Sequence, residues 1–209
     1  MFKVSITKDQ LNELPQVQFP GNIYVIDNMS MVNSAVRTLR KYDIVGFDTE
    51  TRPSFKKGRM HKVALLQLST PNECFLFRLN RLGMPASLHE YLEDDSCLKV
   101  GLSVHDDFKS LRRLVDIDPA GFVDVQPLAL QNSITDISLQ KIYAILFGER
   151  ISKGQQLSNW EADTLSDAQQ RYASIDAWTC ISIYQYLTSG QFVPQESPYF
   201  SIIEDEEVK

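Results

Sequence analysis

The segment that restricts the possible folds most strongly is IVGFDTE, residues 44–50. Its apolar first half predicts a buried strand, and Asp48 and Glu50 follow without a break. Residues two apart on a strand project from the same face, with Cα atoms about 6–7 Å apart. Two like charges at a buried strand end repel each other and are poorly solvated, so one is expected to be protonated unless a cation intervenes. The alternative is that the strand ends at Phe47 and both carboxylates lie in a solvated loop.

A long helix is predicted over residues 166–187, because Ser166 and Gln169 fit a capping box at its start. One inward-facing stripe of this helix carries an acidic residue at its centre: Tyr172, Asp176, Thr179, Cys180, Ile183 and Leu187. A carboxylate on a core-facing stripe needs a partner. Asp176 is therefore a second candidate cation ligand, and the structural alternative is a salt bridge to Arg171 or to a neighbouring helix, or an effect of the helix dipole at the N-terminus.

A third acidic position lies in the segment KVGLSVHDDFKSLRRL, residues 99–114. A strand over residues 98–101 is followed by a helix over residues 107–114, and acidic residues in a first helical turn are favoured by the helix dipole in any case. Asp107 shares a helix face with Leu111 and Leu114, whereas Asp106 is expected to point to solvent. Asp107 is thus the candidate for the site.

The remaining pattern predicts an α/β fold with a mixed sheet flanked by helices. Further strands are expected over residues 23–26, 63–68, 74–79 and 122–125, and further helices over about residues 31–39, 85–92 and 137–147. The turn residues Thr70, Pro71 and Asn72 join two of the strands as an antiparallel pair. Residues up to about 21 show no clear pattern, and the acidic stretch from residue 192 is expected to be extended or partly disordered.

Charge and composition limit the classes of function. The formal net charge of −6 argues against coating of long duplexes, but two bound divalent cations would reduce it to −2 and concentrate positive charge where a phosphate sits. No apolar run is long enough to cross a membrane, and the N-terminus has no signal-peptide pattern, so a cytoplasmic location is expected. Cys74, Cys97 and Cys180 show neither metal-ligand spacing nor a disulfide pattern.

The three acidic segments occur together with a specific surrounding sequence. GFDTETRPSF (residues 46–55) is followed by KVALLQLS, Gly101 precedes Asp107 and Leu111, and LSNWEADTLSDAQQRYA leads into the Tyr-x-x-x-Asp motif YASID. Over roughly residues 23–188 the chain resembles the DEDD exonucleases, which have an RNase H-like fold. Within them it looks like the DEDDy branch that includes ribonuclease D and the exonuclease domain of Werner-syndrome helicase. One departure is the doubled acid, where the family spacing favours Asp107 over Asp106.

The resemblance implies a 3′→5′ exonuclease that releases nucleoside monophosphates by a two-metal-ion mechanism. Asp48 would bridge two Mg²⁺ or Mn²⁺ ions, Glu50 and Asp176 would complete the site that generates hydroxide, and Asp107 would hold the second ion. Tyr172 would orient the attacking water. His105 is not an expected ligand, because the branch with a catalytic histidine carries it where this chain has Tyr172. The implied division is an N-terminal extension (1–22), an exonuclease domain (23–190) and an acidic tail (191–209).

The expected partner is a nucleic acid with a free 3′ end, DNA or RNA, single-stranded or frayed. Candidate substrate contacts are Phe47, Thr49, Arg52, Lys153 and Trp160, with core packing as the alternative for the two aromatic residues. A basic loop that could follow the phosphate backbone, or simply be solvated, comprises Arg52, Lys56, Lys57, Arg59 and Lys62.

Two other functions compete with the nuclease prediction. A nuclease fold could serve as a binding adapter without chemistry, but all the expected carboxylates and the tyrosine are present. An aspartyl phosphatase would need a second Asp where Glu50 stands.

Overall fold

The structure, a computed structural model, describes residues 2–54 and 61–202. Its strands are β1 (Phe2–Val4), β2 (Asn22–Ile26), β3 (Ile44–Thr51), β4 (Val63–Ser69), β5 (Glu73–Phe77), β6 (Leu98–Gly101), β7 (Phe122–Asp124) and β8 (Phe200–Ile202). Its helices are α1 (Lys8–Glu13), α2 (Met29–Leu39), α3 (Leu79–Leu82), α4 (Ala86–Leu92), α5 (Val104–Leu111), α6 (Val125–Gln131), α7 (Leu139–Phe147) and α8 (Asp167–Thr188). A short 3-10 turn spans Pro194–Glu196.

Six strands form one mixed sheet in the order β2-β5-β4-β3-β6-β7. The strands β3, β4 and β5 are antiparallel neighbours, while β2 pairs with β5, β6 with β3 and β7 with β6 in parallel. The predicted mixed sheet flanked by helices is therefore confirmed. Among the described residues, no helix combines the length and apolar composition needed to cross a membrane.

The two faces of the sheet bury different helices. On one face, Phe47, Leu66 and Leu68 pack with residues of α2, α4 and α5 in a continuous apolar core. On the other face, α8 packs across β3 and its neighbours, with α6 and α7 outside it. Because successive strand residues point to opposite faces, each residue of β3 is assigned either to the α5 side or to the α8 side.

Gly46 allows β3 and α8 to approach each other closely. A Cβ atom built on Gly46 would lie 1.9 Å from the carbonyl oxygen of Ala177, so no other residue fits without a backbone shift. The same direction shows which face of β3 looks at α8. Asp48 and Glu50, two and four residues further along, share the face of Gly46.

Strand β3 continues through the two carboxylates instead of ending at Phe47. Asp48 pairs with Gln67 and Glu50 with Leu65 on β4, and the register shifts only between Glu50 and Thr51. The prediction of a strand over residues 44–47 was therefore too short, and the loop alternative is wrong. The ladder to β4 extends the strand beyond its apolar run, which no local pattern indicated.

The N-terminal elements were not predicted, and the C-terminal segment was predicted only as extended or partly disordered. Phe2–Val4 and Phe200–Ile202 form an antiparallel two-stranded sheet, so part of the segment from residue 192 is ordered as a strand. Val4, Ile6, Leu11 and Val17 are buried in the same core as α7 and α8.

Helices α1, α3 and α6 were not predicted, and residues 203–209 of the tail lie outside the described residues.

Replacement of Gly46 by alanine is expected to destabilise the protein, because the new methyl group must displace the backbone of α8. Overpacking of this kind costs roughly 1–3 kcal/mol, which corresponds to a Tm about 2–12 °C lower for a chain of this size. Gly154→Ala is the control, since the nearest atom to its added Cβ is 3.5 Å away. Equal denaturant midpoints for Gly46→Ala and the wild type would contradict the close approach.

Candidate active site

Two carboxylates reach the site from β3. Asp48 and Glu50 point toward α8 from within the paired strand, where both are partly buried. Their positions follow from the alternation of strand side chains, since Phe47 points to the opposite core. The sheet thus holds the two acidic groups on a rigid element with little freedom to separate.

Helix α8 supplies the third carboxylate. The helix begins with a capping box in which Ser166 and Gln169 bond each other's backbone amides. Asp176, three turns further on, is only 7% exposed and lies next to Ala177, the residue that contacts Gly46. Tyr172 stands one turn before Asp176 on the same side of the helix. The contact between β3 and α8 therefore also brings Asp176 to Asp48.

Asp48, Glu50 and Asp176 together form a group that could hold a metal ion. One carboxylate oxygen from each lies within 4.8 Å of the others. Three oxygen ligands converging from two elements suit a hard divalent cation, which prefers carboxylates and keeps open positions for water and phosphate. The donor set therefore fits a divalent metal centre.

Asp107 approaches this group from the first turn of α5, although it is not one of the three residues whose oxygens lie within 4.8 Å of one another. Ser103, just before the helix, has a left-handed backbone with φ of 57°, which turns the chain sharply from β6 into α5. Asp107 then accepts a hydrogen bond from the Thr49 hydroxyl on β3. Asp106 instead points outward and pairs with Lys109 at 2.8 Å. The adjacent residues Asp106 and Asp107 therefore point in different directions, Asp106 to solvent and Asp107 to Thr49, as the sequence predicted.

The pKa values of the four carboxylates are raised. Burial, followed by the charges of Asp107, Glu50 and Asp176, raises the pKa of Asp48 well above its usual value. Burial and the charges of Asp176 and Asp107 raise the pKa of Glu50 to about 9. The pKa of Asp107 rises to about 7 through burial, although the hydrogen bond from Thr49 opposes the shift. The crowding predicted for the first pair therefore extends to all four groups.

Two neighbours of Asp176 favour its charged form. Burial raises the pKa of Asp176 to about 7, while a hydrogen bond from Tyr172 and the positive charge of Lys153 act in the opposite direction. Burial and the charges of Asp176 and Glu50 also raise the pKa of the Tyr172 phenol, so it remains protonated at neutral pH. Tyr172 is thus a hydrogen-bond donor at this site.

A cleft of about 290 Å³ opens over these groups. Thr49 and Lys153, two of the predicted substrate contacts, line it together with Asp48, Glu50, Tyr172 and Asp176. Arg52 is exposed and forms an ion pair with Glu161 at 3.2 Å. Lys62 is exposed, and Lys56, Lys57 and Arg59 of the predicted basic loop lie outside the described residues.

The two aromatic candidates are fully buried. Phe47 packs edge-on against Phe122, with the ring centroids 4.9 Å apart. Trp160 lies beneath Tyr172, with 6.0 Å between the centroids. These surroundings favour the packing alternative for both, because neither ring offers surface to a substrate in this arrangement. Trp160 instead supports the ring of Tyr172.

Sequence reasoning missed Asp124, a further carboxylate close to the site. It ends β7, caps α6 by accepting a hydrogen bond from the backbone of Gln126 at 2.9 Å, and raises the pKa of Asp107 through its charge. The signal was present, since Asp124 follows an apolar strand just as Asp48 does. Cys180, one turn after Asp176, also lines the cleft.

The chain matches the 3′-5′ exonuclease family over residues 23–190. It is 30% identical over 196 residues to the mouse bifunctional 3′-5′ exonuclease/ATP-dependent helicase WRN, covering 88% of this chain and 14% of that protein. It is 34% identical over 186 residues to exonuclease 3′-5′ domain-containing protein 2 of Drosophila melanogaster, covering 87% of this chain. This chain spans 30% of the fly protein, so both relatives are much longer than the region they share with it.

Solved structures support the fold. A complex of Trypanosoma brucei ribonuclease D with RNA U12 superimposes with a TM-score of 0.72 at 19% identity, over 84% of this chain and 65% of that one. At this identity the likeness establishes the architecture of the sheet and helices.

The raised pKa values predict that stability depends on pH and on metal. Carboxylates titrate near pH 4 when unfolded, whereas Asp107 and Asp176 titrate near 7 and Glu50 near 9 in the folded chain. Between these limits the folded state binds more protons than the unfolded state, so the free energy of unfolding should fall as pH rises from about 5 to 8 in a chelating buffer. Mn²⁺ binds the deprotonated groups and should therefore raise the Tm more at about pH 8 than at about pH 5.5.

Thermal melts at both pH values, with chelator and with Mn²⁺, check this expectation. The lowered pKa values of Asp106 and Asp136 affect stability only below about pH 4, outside this window. Asp48→Asn is the control and should weaken the response to Mn²⁺, whereas the pH dependence contributed by Asp107, Asp176 and Glu50 should persist, because burial is the first cause of each of these shifts. Equal stabilisation by Mn²⁺ at the two pH values would contradict the arrangement.

Proposed function

We propose that this chain, which belongs to the 3′-5′ exonuclease family, hydrolyses the terminal phosphodiester bond at the free 3′ end of a nucleic-acid strand. The products are nucleoside monophosphates, released one at a time. The observation that carries the proposal is the convergence of Asp48, Glu50 and Asp176, whose oxygens lie within 4.8 Å of one another beside an open cleft.

Asp48, Glu50, Asp107 and Asp176 hold two divalent cations in this proposal, with Mg²⁺ and Mn²⁺ as the ions that carboxylates select. Bound there, the cations supply activation of water and neutralisation of charge at the scissile phosphate. The carboxylates are held on rigid elements, which fixes the positions the ions would take. Because the carboxylates are buried and crowded, their negative charges are poorly compensated unless positive charge is bound. This donor set explains why an acidic chain can act on a polyanion.

Tyr172 and Lys153 have separate roles. The Tyr172 hydroxyl holds its proton, bonds Asp176 and borders the cleft, so it orients a water molecule by hydrogen bonding and does not act as a base. The Lys153 ammonium borders the same cleft and supplies a positive charge to a substrate phosphate. Thr49 holds Asp107 in place through its hydroxyl.

The substrate is a strand end narrow enough for a cleft of about 290 Å³, which suits a single-stranded or frayed 3′ terminus. Trypanosoma brucei ribonuclease D was solved with RNA U12, and the mouse relative carries a helicase in the same polypeptide. RNA and DNA ends are therefore both substrates to test. Contact with the 2′-hydroxyl would decide between them.

Degradation of matched 5′-labelled DNA and RNA strands with Mg²⁺ or Mn²⁺ tests the proposal. The wild type should shorten the labelled strand stepwise from its 3′ end, and Asp48→Ala should abolish this because one of the residues that would hold the cations is lost. Asp107→Asn should reduce the rate by about a hundredfold or more, whereas the matched control Asp106→Asn should retain it, since Asp106 faces solvent. Full activity of Asp48→Ala, or binding of metal by the wild type without turnover, would contradict the proposal.

Replacement of Tyr172 by phenylalanine should lower kcat by roughly a hundredfold while KM for the strand stays the same. Loss of its hydrogen bond also raises the pKa of Asp176, so the acidic limb of the pH–rate profile should move to higher pH. Steady-state rates across pH measure both effects. Tyr184→Phe, further along α8 and half-buried, is the control and should behave as the wild type. A mutant with unchanged kcat and pH profile would restrict Tyr172 to packing.

A further inference from the structure

Gln67 is a buried amide for which the structure shows no hydrogen-bond partner. Its side chain is 0% exposed, and neither Nε2 nor Oε1 has a partner within the described residues. In the part of the chain that the structure describes, the other buried side-chain atom without a partner is Nε1 of Trp160, beneath Tyr172. A buried polar group without a partner costs about 1–3 kcal/mol, so an amide at this position calls for a functional explanation.

The strand register places Gln67 beside Asp48. The two residues are direct partners across the antiparallel pair of β3 and β4. Direct partners project from the same face with Cβ atoms about 4.5–5.5 Å apart, so both side chains lie on the face covered by α8. At this separation a glutamine amide reaches the neighbouring carboxylate through a change of rotamer or through one bridging water.

A purely structural role does not account for the amide. Leu65, two residues earlier on the same face, and Leu76, the partner of Gln67 on β5, are both fully buried and apolar. An apolar side chain of similar length would satisfy the same packing without an amide to desolvate. The amide is therefore explained by a polar neighbour, and its direct partner across the strand pair is Asp48.

Asp48 is the carboxylate that lies directly across the strand pair from this amide. One of its oxygens lies within 4.8 Å of oxygens of Glu50 and Asp176, and it accepts a backbone hydrogen bond from Thr49. A second N–H donor would lower the free energy of the ionised carboxylate and limit its rotation, without adding a positive charge that competes with a cation. Partners of this kind orient metal ligands in protein sites generally.

We propose that Gln67 is a positioning residue for the metal centre. Its Nε2–H donates to one oxygen of Asp48, directly or through one water, when Asp48 holds a divalent cation, and so directs the other oxygen toward the ion. The inference rests on the proposed function only in taking Asp48 as a cation ligand. It concerns binding of the cation and can therefore be measured without turnover.

The test compares Mn²⁺ affinity with stability in Gln67→Met. Mn²⁺ titrations by calorimetry should show binding weakened by about tenfold or more. The free energy of unfolding in chelating buffer should stay the same or rise, because an unpartnered amide is replaced by an apolar group of similar size. Gln67→Leu serves as the second apolar variant if the methionine variant does not fold. Leu65→Met is the matched control on the same strand and face, and should bind Mn²⁺ as the wild type does.

Weaker Mn²⁺ binding with an unchanged or higher free energy of unfolding would support the proposal, since loss of a purely structural residue would not produce this combination. Wild-type Mn²⁺ affinity in the apolar variants, with or without a loss of stability, would overturn it. The proposed function fails separately, if the wild type binds no Mn²⁺ or if Asp48→Ala binds it equally well. Catalysis adds a further comparison, because kcat at limiting Mn²⁺ should fall in Gln67→Met while KM for the strand is unchanged.

Discussion

At Gly46 the backbones of β3 and α8 lie so close that a Cβ atom would come within 1.9 Å of the Ala177 carbonyl oxygen. The next residue along the same face of β3 is Asp48, and the residue before Ala177 on α8 is Asp176. A contact between two main chains therefore determines the separation of two carboxylates. Since the helix is itself positioned by the buried cores on the sheet, the geometry of the acidic cluster depends on the packing of the whole domain.

The electrostatic consequence of this contact is a group of acids that cannot all be ionised without a counter-charge. Burial and mutual repulsion raise the pKa values of Asp48, Glu50, Asp107 and Asp176. The protein provides limited compensation of its own, through the Tyr172 hydroxyl and the Lys153 ammonium near Asp176. In the proposed function, divalent cations would compensate the remaining negative charge, and the repulsion between the carboxylates would then favour metal binding. Membership of the 3′-5′ exonuclease family is consistent with this use of the site.

The predictions succeeded where a signal was local and failed where pairing between distant segments decided the structure. The capping box of Ser166 and Gln169 located α8 to within a residue, because both partners lie within one turn. The end of β3 was misplaced, since its extension to Thr51 depends on pairing with β4. Helix α6 was missed because Pro127 stands in its first turn, where a missing N–H costs nothing and only the Asp124 cap marks the start. The strand Phe200–Ile202 forms only because the other end of the chain, Phe2–Val4, lies beside it.

By itself the sequence determined the type of fold, the order of the acidic motifs and the preference for Asp107 over Asp106, since these follow from periodicity, spacing and resemblance. Tertiary structure alone decided which of the residues predicted to contact the substrate line the cleft. Thr49 and Lys153 border it, whereas Phe47 and Trp160 are enclosed in the core. It also revealed Asp124 near Asp107 and the unpartnered amide of Gln67 opposite Asp48. The physical reason is that burial and proximity between residues far apart in the chain arise from packing, which local sequence patterns do not encode.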